Sequence, residues 1–143
     1  MSNNVRSIKR GMKKQQDKEA TLSATIGDFA SSRPILVRCL SQPFPVGKGK
    51  QSLEFGRLCR DVFKELETSY DPKHAEILKK YGEEQKDAPG SFTIKNENIE
   101  PFNSEVTEIA LAEVTLLHKK MPELLDIFSL TGQEALVLEW LVG

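Results

Sequence analysis

"KKYGEEQKDAPGSFTIKNENIEPFN", residues 79–103, decides how the chain is laid out. One apolar-striped segment stops at Tyr81-Gly82, a charged stretch follows, and a second striped segment begins near Asn98. A glycine directly after the last periodic residue reads as the left-handed C′ position that ends a helix, because it has no Cβ to clash there. Residues 83–91 then read as an exposed loop that turns at Pro89-Gly90. Residues 91–95 alternate polar and apolar side chains, which predicts a short strand with Phe92 and Ile94 on one face.

Toward the N-terminus from this stretch lies the longest helical pattern, residues 52–81. Phe55, Leu58, Cys59, Val62, Phe63, Leu66 and Tyr70 recur at steps of three and four, a stripe that must face another element. Ile77, Leu78 and Tyr81 resume it beyond Asp71-Pro72. Pro72 either kinks one helix or begins a second, with Asp71 as N-cap and the proline in the first turn. Further back, "SQPFPVGKGKQS", residues 41–52, is a connector with two prolines and two glycines. Residues 22–40 read as two short helical pieces, the second capped by Ser32 with Pro34 in its first turn.

On the C-terminal side, Asn98 is a candidate cap for a helix running to about Ala112. Pro101 would fall in its first turn, and Phe102, Val106, Ile109 and Ala110 would line one side. Val114-Thr115-Leu116 alternates again and is expected to pair antiparallel with residues 92–94. A two-stranded ribbon is marginal alone, so it must rest on the helices. Leu124, Leu125, Ile127 and Phe128 form a short apolar helix or turn. Thr131 and Glu134 have capping-box spacing, in which hydroxyl and carboxylate reciprocally satisfy orphan N–H groups. A final helix carries Leu136, Val137, Trp140 and Leu141.

The fold class expected is mainly α (α+β): an antiparallel helical hairpin with a kinked long helix, a small two-stranded antiparallel β-ribbon and a C-terminal helix. Residues 1–22 form a basic extended arm, and residues 23–143 a single helical domain with a tip loop at 82–91. At 143 residues the chain has one domain's length. Its 38% apolar and 29% charged content is more polar than average and predicts a thin body with much solvated or partner-covered surface.

The net charge of −1 is unevenly spread: residues 1–20 carry +4, leaving −5 for the remaining 123. Arg6, Lys9, Arg10, Lys13, Lys14 and Lys18 supply the positive charge of the arm. Such a segment can dock on an acidic protein surface or lie on phosphates. No aromatic residue interleaves its cations, so base stacking has no support, and nucleic-acid contact would be non-specific and salt-sensitive. Protein docking is the preferred reading, with Arg6, Lys9, Arg10, Lys13 and Lys14 as its contact residues. The apolar C-terminal stripe either closes the chain's own core or exposes Trp140 and Leu141 as interface anchors, a role for which tryptophan is well suited.

Catalytic patterns fail residue by residue. "VGKGKQS", residues 46–52, suggests a phosphate loop, yet that motif needs glycine where Phe44 stands and Ser or Thr where Gln51 stands. His74 and His118 have no neighbouring set of ligands, so no metal or other cofactor is expected. Cys39 and Cys59 sit in separate apolar stripes without CxxC spacing, which predicts two buried, reduced thiols. Asp61, Glu65, Glu67, Asp71, Glu76, Glu83 and Glu84 decorate helical or loop surfaces and suggest no acid-base pair. No hydroxyl has an identifiable base, so a non-enzymatic role without a small-molecule substrate is expected. No signal-peptide run and no membrane-length apolar stretch is present, so no membrane partner is expected.

Residues 26–143 resemble small helical proteins encoded by tailed bacteriophages and prophages. The resemblance is carried by "SSRPILVRCLSQPFPVGK", "ELETSYDPKHAEILKKYGE", "FTIKNENIEPFNSEVTEIALAEVTL" and the closing "LTGQEALVLEWLVG". It implies a phage origin and a helical hairpin bearing a small ribbon. These motifs punctuate structure and imply no reaction; the arm before Leu22 departs from the shorter members. Together with the arm and the tip, the resemblance implies a virion component that binds other phage structural proteins at the head, neck or tail, in many copies. The alternative is an interaction protein outside the particle, an assembly chaperone or host-factor binder.

Overall fold

The computed structural model describes residues 20–143, of which 61% are helical, so the molecule is mainly α with two small antiparallel sheets. The chain divides into two compact units. The larger spans Thr25–Glu113, and the smaller takes residues 20–24 together with Val114–Gly143.

In the larger unit, helix α1 (Ile26–Leu40) starts at Thr25. The Thr25 hydroxyl accepts from the Asp28 N–H (3.1 Å), and the Asp28 carboxylate accepts from the Thr25 N–H (3.0 Å). This capping box replaces the expected cap at Ser32, and one helix replaces the two pieces. Ser32 is buried in the helix interior, where its hydroxyl donates to the Asp28 carbonyl (2.6 Å). Pro34 also lies inside the helix but is exposed, so its ring displaces no core side chain.

Helix α2 (Gly49–Ser69) buries Phe55, Leu58, Cys59, Val62 and Leu66 of the stripe expected from periodicity, whereas Phe63 and Tyr70 are only half-buried. Its neighbour α1 buries Phe29, Leu36 and Cys39. Helix α3 (Asp71–Tyr81) continues α2 after a bend at Tyr70 (φ −117°, ψ −58°), with Pro72 in its first turn. Backbone bonds run through the bend, from the Tyr70 N–H to the Leu66 carbonyl and from the His74 N–H to the Tyr70 carbonyl. Asp71 does not cap α3 with its side chain. Its carboxylate instead accepts both guanidinium nitrogens of Arg33, at 2.8 and 3.1 Å, a planar fork that ties α1 to the bend.

The stretch expected to be a loop is a β-hairpin. Strand β2 (Gly82–Gln85) pairs antiparallel with β3 (Ala88–Ile94), with Gly82 opposite Ile94 and Glu84 opposite Phe92. Gly82 is extended (φ −103°, ψ 159°) and not left-handed. Its need for glycine is steric: a Cβ there would stand 2.7 Å from the Leu78 carbonyl oxygen and 3.2 Å from the Phe92 Cβ. Helix α4 (Asn96–Ala110) follows. Asn98 does not cap it but donates from its carboxamide to the Tyr81 carbonyl (3.2 Å), joining the start of α4 to the end of α3. Pro101 therefore lies in the second turn. The far end of α4 approaches α1 closely, with Ala110 beside Gly27 and the Ala112 carbonyl accepting from the Ile26 N–H (2.9 Å).

In the smaller unit, β1 (Leu22–Thr25) pairs with β4 (Glu113–Leu116), and Ser23 and Thr115 share a hydroxyl contact at 3.3 Å. This overturns the expected pairing of residues 114–116 with 92–94. Alternation makes a strand half-buried but does not choose its partner, and residues 82–85 are already next to β3 through a two-residue turn. Leu22, assigned to the arm from sequence, is a buried strand residue. Short helices α5 (Leu124–Ile127), α6 (Gly132–Val137) and α7 (Glu139–Val142) complete the unit. The Thr131–Glu134 capping box forms as expected. The last helix is interrupted at Leu138, whose buried side chain joins Met121, Leu124, Phe128 and Leu141 in being withdrawn from solvent.

Two substitutions test this assembly by urea denaturation. Gly82→Ala is expected to cost about 1–3 kcal/mol, because the blocking atom is backbone and cannot rotate away. Thr25→Ala should cost about 1 kcal/mol through loss of the capping box, and a change within error would remove that box from the account of α1.

Candidate protein interface

The hairpin tip is self-satisfied and heavily charged. Lys86 and Asp87 form its turn, and Pro89, Gly90 and Ser91 bulge from β3, with Gly90 at φ +90°. That conformation suits glycine and presents the Gly90 N–H to the Glu84 carboxylate at 3.0 Å. Gln85 donates to the Thr93 hydroxyl (2.8 Å), and Lys95 pairs with Glu83 (3.2 Å). These groups all face solvent and converge on no common point, so the tip offers a polar contact surface.

Below the tip, Lys80 reaches both carboxylate oxygens of Glu105 at 3.2 Å, linking α3 to α4. Hydrogen bonding to Tyr81 first, and then to Lys80, holds the Glu105 carboxyl below its usual range; hydrogen bonding to Glu105 raises the Lys80 ammonium. His74 stacks on Tyr70 (5.3 Å between centroids) and meets the edge of Phe102 at 6.0 Å, so it serves as a half-buried ring in a small aromatic cluster. Among the described residues no group of three or more His, Cys, Asp or Glu side chains could hold a metal ion.

Cys39 and Cys59 are buried thiols, as expected. Burial, and secondarily the adjacent Cys39, push the Cys59 thiol from 9.0 up to about 12. It is therefore a packing residue and a poor nucleophile. The phosphate-loop-like residues 46–52 make a turn at Gly47 (φ +89°) and the start of α2, and the element directly before them is the helix α1. Among the described residues no helix is long and apolar enough to cross a membrane.

Of the residues expected to form an interface, Arg6, Lys9, Arg10, Lys13 and Lys14 lie outside the described residues. Trp140 is half-buried and Leu141 is 0% exposed, with its carbonyl accepting from the Met121 N–H (2.8 Å). The exposed apolar side chain of that segment is Leu136, at 69%. Leu117, just past β4, is 82% exposed, and Leu111 at the end of α4 is 67% exposed.

A surface missed from the sequence is the outward side of α4. That side carries Ile99, Glu100, Asn103, Thr107, Glu108 and Leu111, all exposed. The stripe expected from periodicity, Phe102, Val106, Ile109 and Ala110, lies on the other side of the helix. The signal was there in Ile99 and Leu111, large apolar residues three turns apart on the polar side.

No protein-family model, curated protein or solved structure matches the chain.

The state of Cys59 is checked by thiol titration. At about pH 8 the native chain is expected to leave Cys59 unmodified, with reaction appearing only on unfolding. The unfolded thiol ionises from 9.0 upward while the folded one keeps its proton to about 12, so the unfolded state binds fewer protons in that window. Stability should therefore fall as pH rises from 9.0 toward 12, and fall less steeply in Cys59→Ala. Equal slopes in the two chains would show that this thiol is not the group responsible.

Proposed function

We propose that this chain is a bacteriophage structural or accessory protein that acts by binding other virion subunits, in many copies, within the particle. The observation that carries the reading is the set of large apolar side chains standing in solvent: Leu111 just past α4, Leu117 just past β4 and Leu136 on α6, with Val46 on the connector. Side chains so placed lose hydration cost when a partner covers them, at roughly 25 cal/mol per Å². The phage assignment draws on the residue resemblance over residues 26–143. The arm's Arg6, Lys9, Arg10, Lys13 and Lys14 would add electrostatic attraction to an acidic subunit, and Trp140 with Leu136 an apolar contact. Repetition around a particle would strengthen each small contact through effective concentration.

The reading is non-enzymatic, with no cofactor or small-molecule substrate in its account. The decisive measurement is quantitative mass spectrometry of purified particles from the phage or prophage that encodes the chain. A stoichiometric amount that survives salt washing is expected. Consistent absence from particles, with the chain abundant in the infected cell, would sink the virion role in favour of an assembly chaperone or host-factor binder.

A further inference from the structure

We propose that the outward face of α4 receives the basic N-terminal segment, residues 1–19, of a second copy of this chain. The inference rests on the multi-copy reading above and names the contact that would join the copies. Helix α4 has no fully buried side chain, and its outer side combines exposed Ile99 and Leu111 with the carboxylates of Glu100 and Glu108. Among the described residues no cation stands on that side, and neither glutamate has an ion-pair or hydrogen-bond partner. An acidic face with apolar ends calls for a basic segment that also carries apolar side chains.

The chain supplies such a segment. Residues 1–19 hold six Lys or Arg against two carboxylates, and Val5, Ile8 and Met12 lie three and four apart among those cations. The face from Ile99 to Leu111 is about 18 Å long at helical rise, whereas nineteen residues reach up to about 60 Å when extended. The segment is thus long enough to cover the face and still connect to Ala20. Because the segment and the α4 face are different surfaces, copies joined this way either exchange segments reciprocally in a closed dimer or continue head-to-tail into rings or open chains.

The test uses the full chain. Equal amounts of ¹⁵N-labelled and unlabelled protein are mixed, treated with a carbodiimide that joins lysine amines directly to carboxylates, digested and analysed by mass spectrometry. Lys9, Lys13 or Lys14 is expected joined to Glu100 or Glu108, with products that combine a light and a heavy peptide. Their yield should drop several-fold in high salt, since the attraction is between exposed charges. It should drop likewise in Leu111→Asp, which leaves both glutamates in place and alters an exposed position. In sedimentation velocity the Glu100→Lys/Glu108→Lys chain should shift from oligomer to monomer. Products that are only light-light and heavy-heavy, or absence of products at these glutamates, would overturn the proposal. So would a yield unchanged by Leu111→Asp. Mixed products from a chain missing from particles would uphold this contact and remove the virion role; particle-bound chain without them would do the reverse.

Discussion

The larger unit depends on the burial of one helical stripe. Phe55, Leu58, Cys59, Val62 and Leu66 repeat at the period of α2 and are all withdrawn from water, while Phe29, Leu36 and Cys39 do the same on α1. Each large side chain so buried contributes roughly 1.5–3 kcal/mol, against about 1–2 kcal/mol of backbone entropy for every residue ordered. Without the stripe neither helix would be stable in water, since isolated helices gain too little from hydrogen bonds alone. The same burial keeps Cys59 a neutral thiol, because an ionised sulfur would have to be solvated where no water reaches.

From that pair the rest of the unit is set by a few short links. Arg33 of α1 grips Asp71 at the bend, which fixes where the continuation of α2 points. Gly82 then lets the chain leave α3 directly into a strand, past the Leu78 carbonyl, without a loop between them. Asn98 returns to the Tyr81 carbonyl, so α3 and α4 are tied at the base of the hairpin they flank. Lys80 with Glu105 and His74 with Phe102 continue that seam along the two helices.

This construction sets the character of the surface. The hairpin satisfies its own polar groups through Glu84, Gln85, Thr93 and Lys95, and the histidine below it is occupied by aromatic neighbours. Exposed apolar side chains lie elsewhere, among them Ile99 of α4, Leu111 just past its end, Leu117 after β4 and Leu136 of α6. The polar groups of the hairpin and of the seam below it are thus engaged in internal links, while these leucines stand in water.

The sequence by itself determined the features that repeat or close locally. The α2 stripe, the Thr131–Glu134 box, the short helix at Leu124 and the two buried thiols were legible because helical period, capping and cysteine spacing act within a few residues. Only the tertiary structure decided which partner each versatile group takes. Ser32, Asp71 and Asn98 are all cap-forming residue types, yet they bond to the Asp28 carbonyl, Arg33 and the Tyr81 carbonyl because those atoms were brought beside them. Residues 92–94 and 114–116 alternate alike, but β3 finds β2 across a two-residue turn and β4 finds β1 from the other end of the chain. Alternation states that a strand has one covered face; the neighbour along its edge depends on hydrogen bonds between segments far apart in sequence, and no periodicity within either segment encodes them.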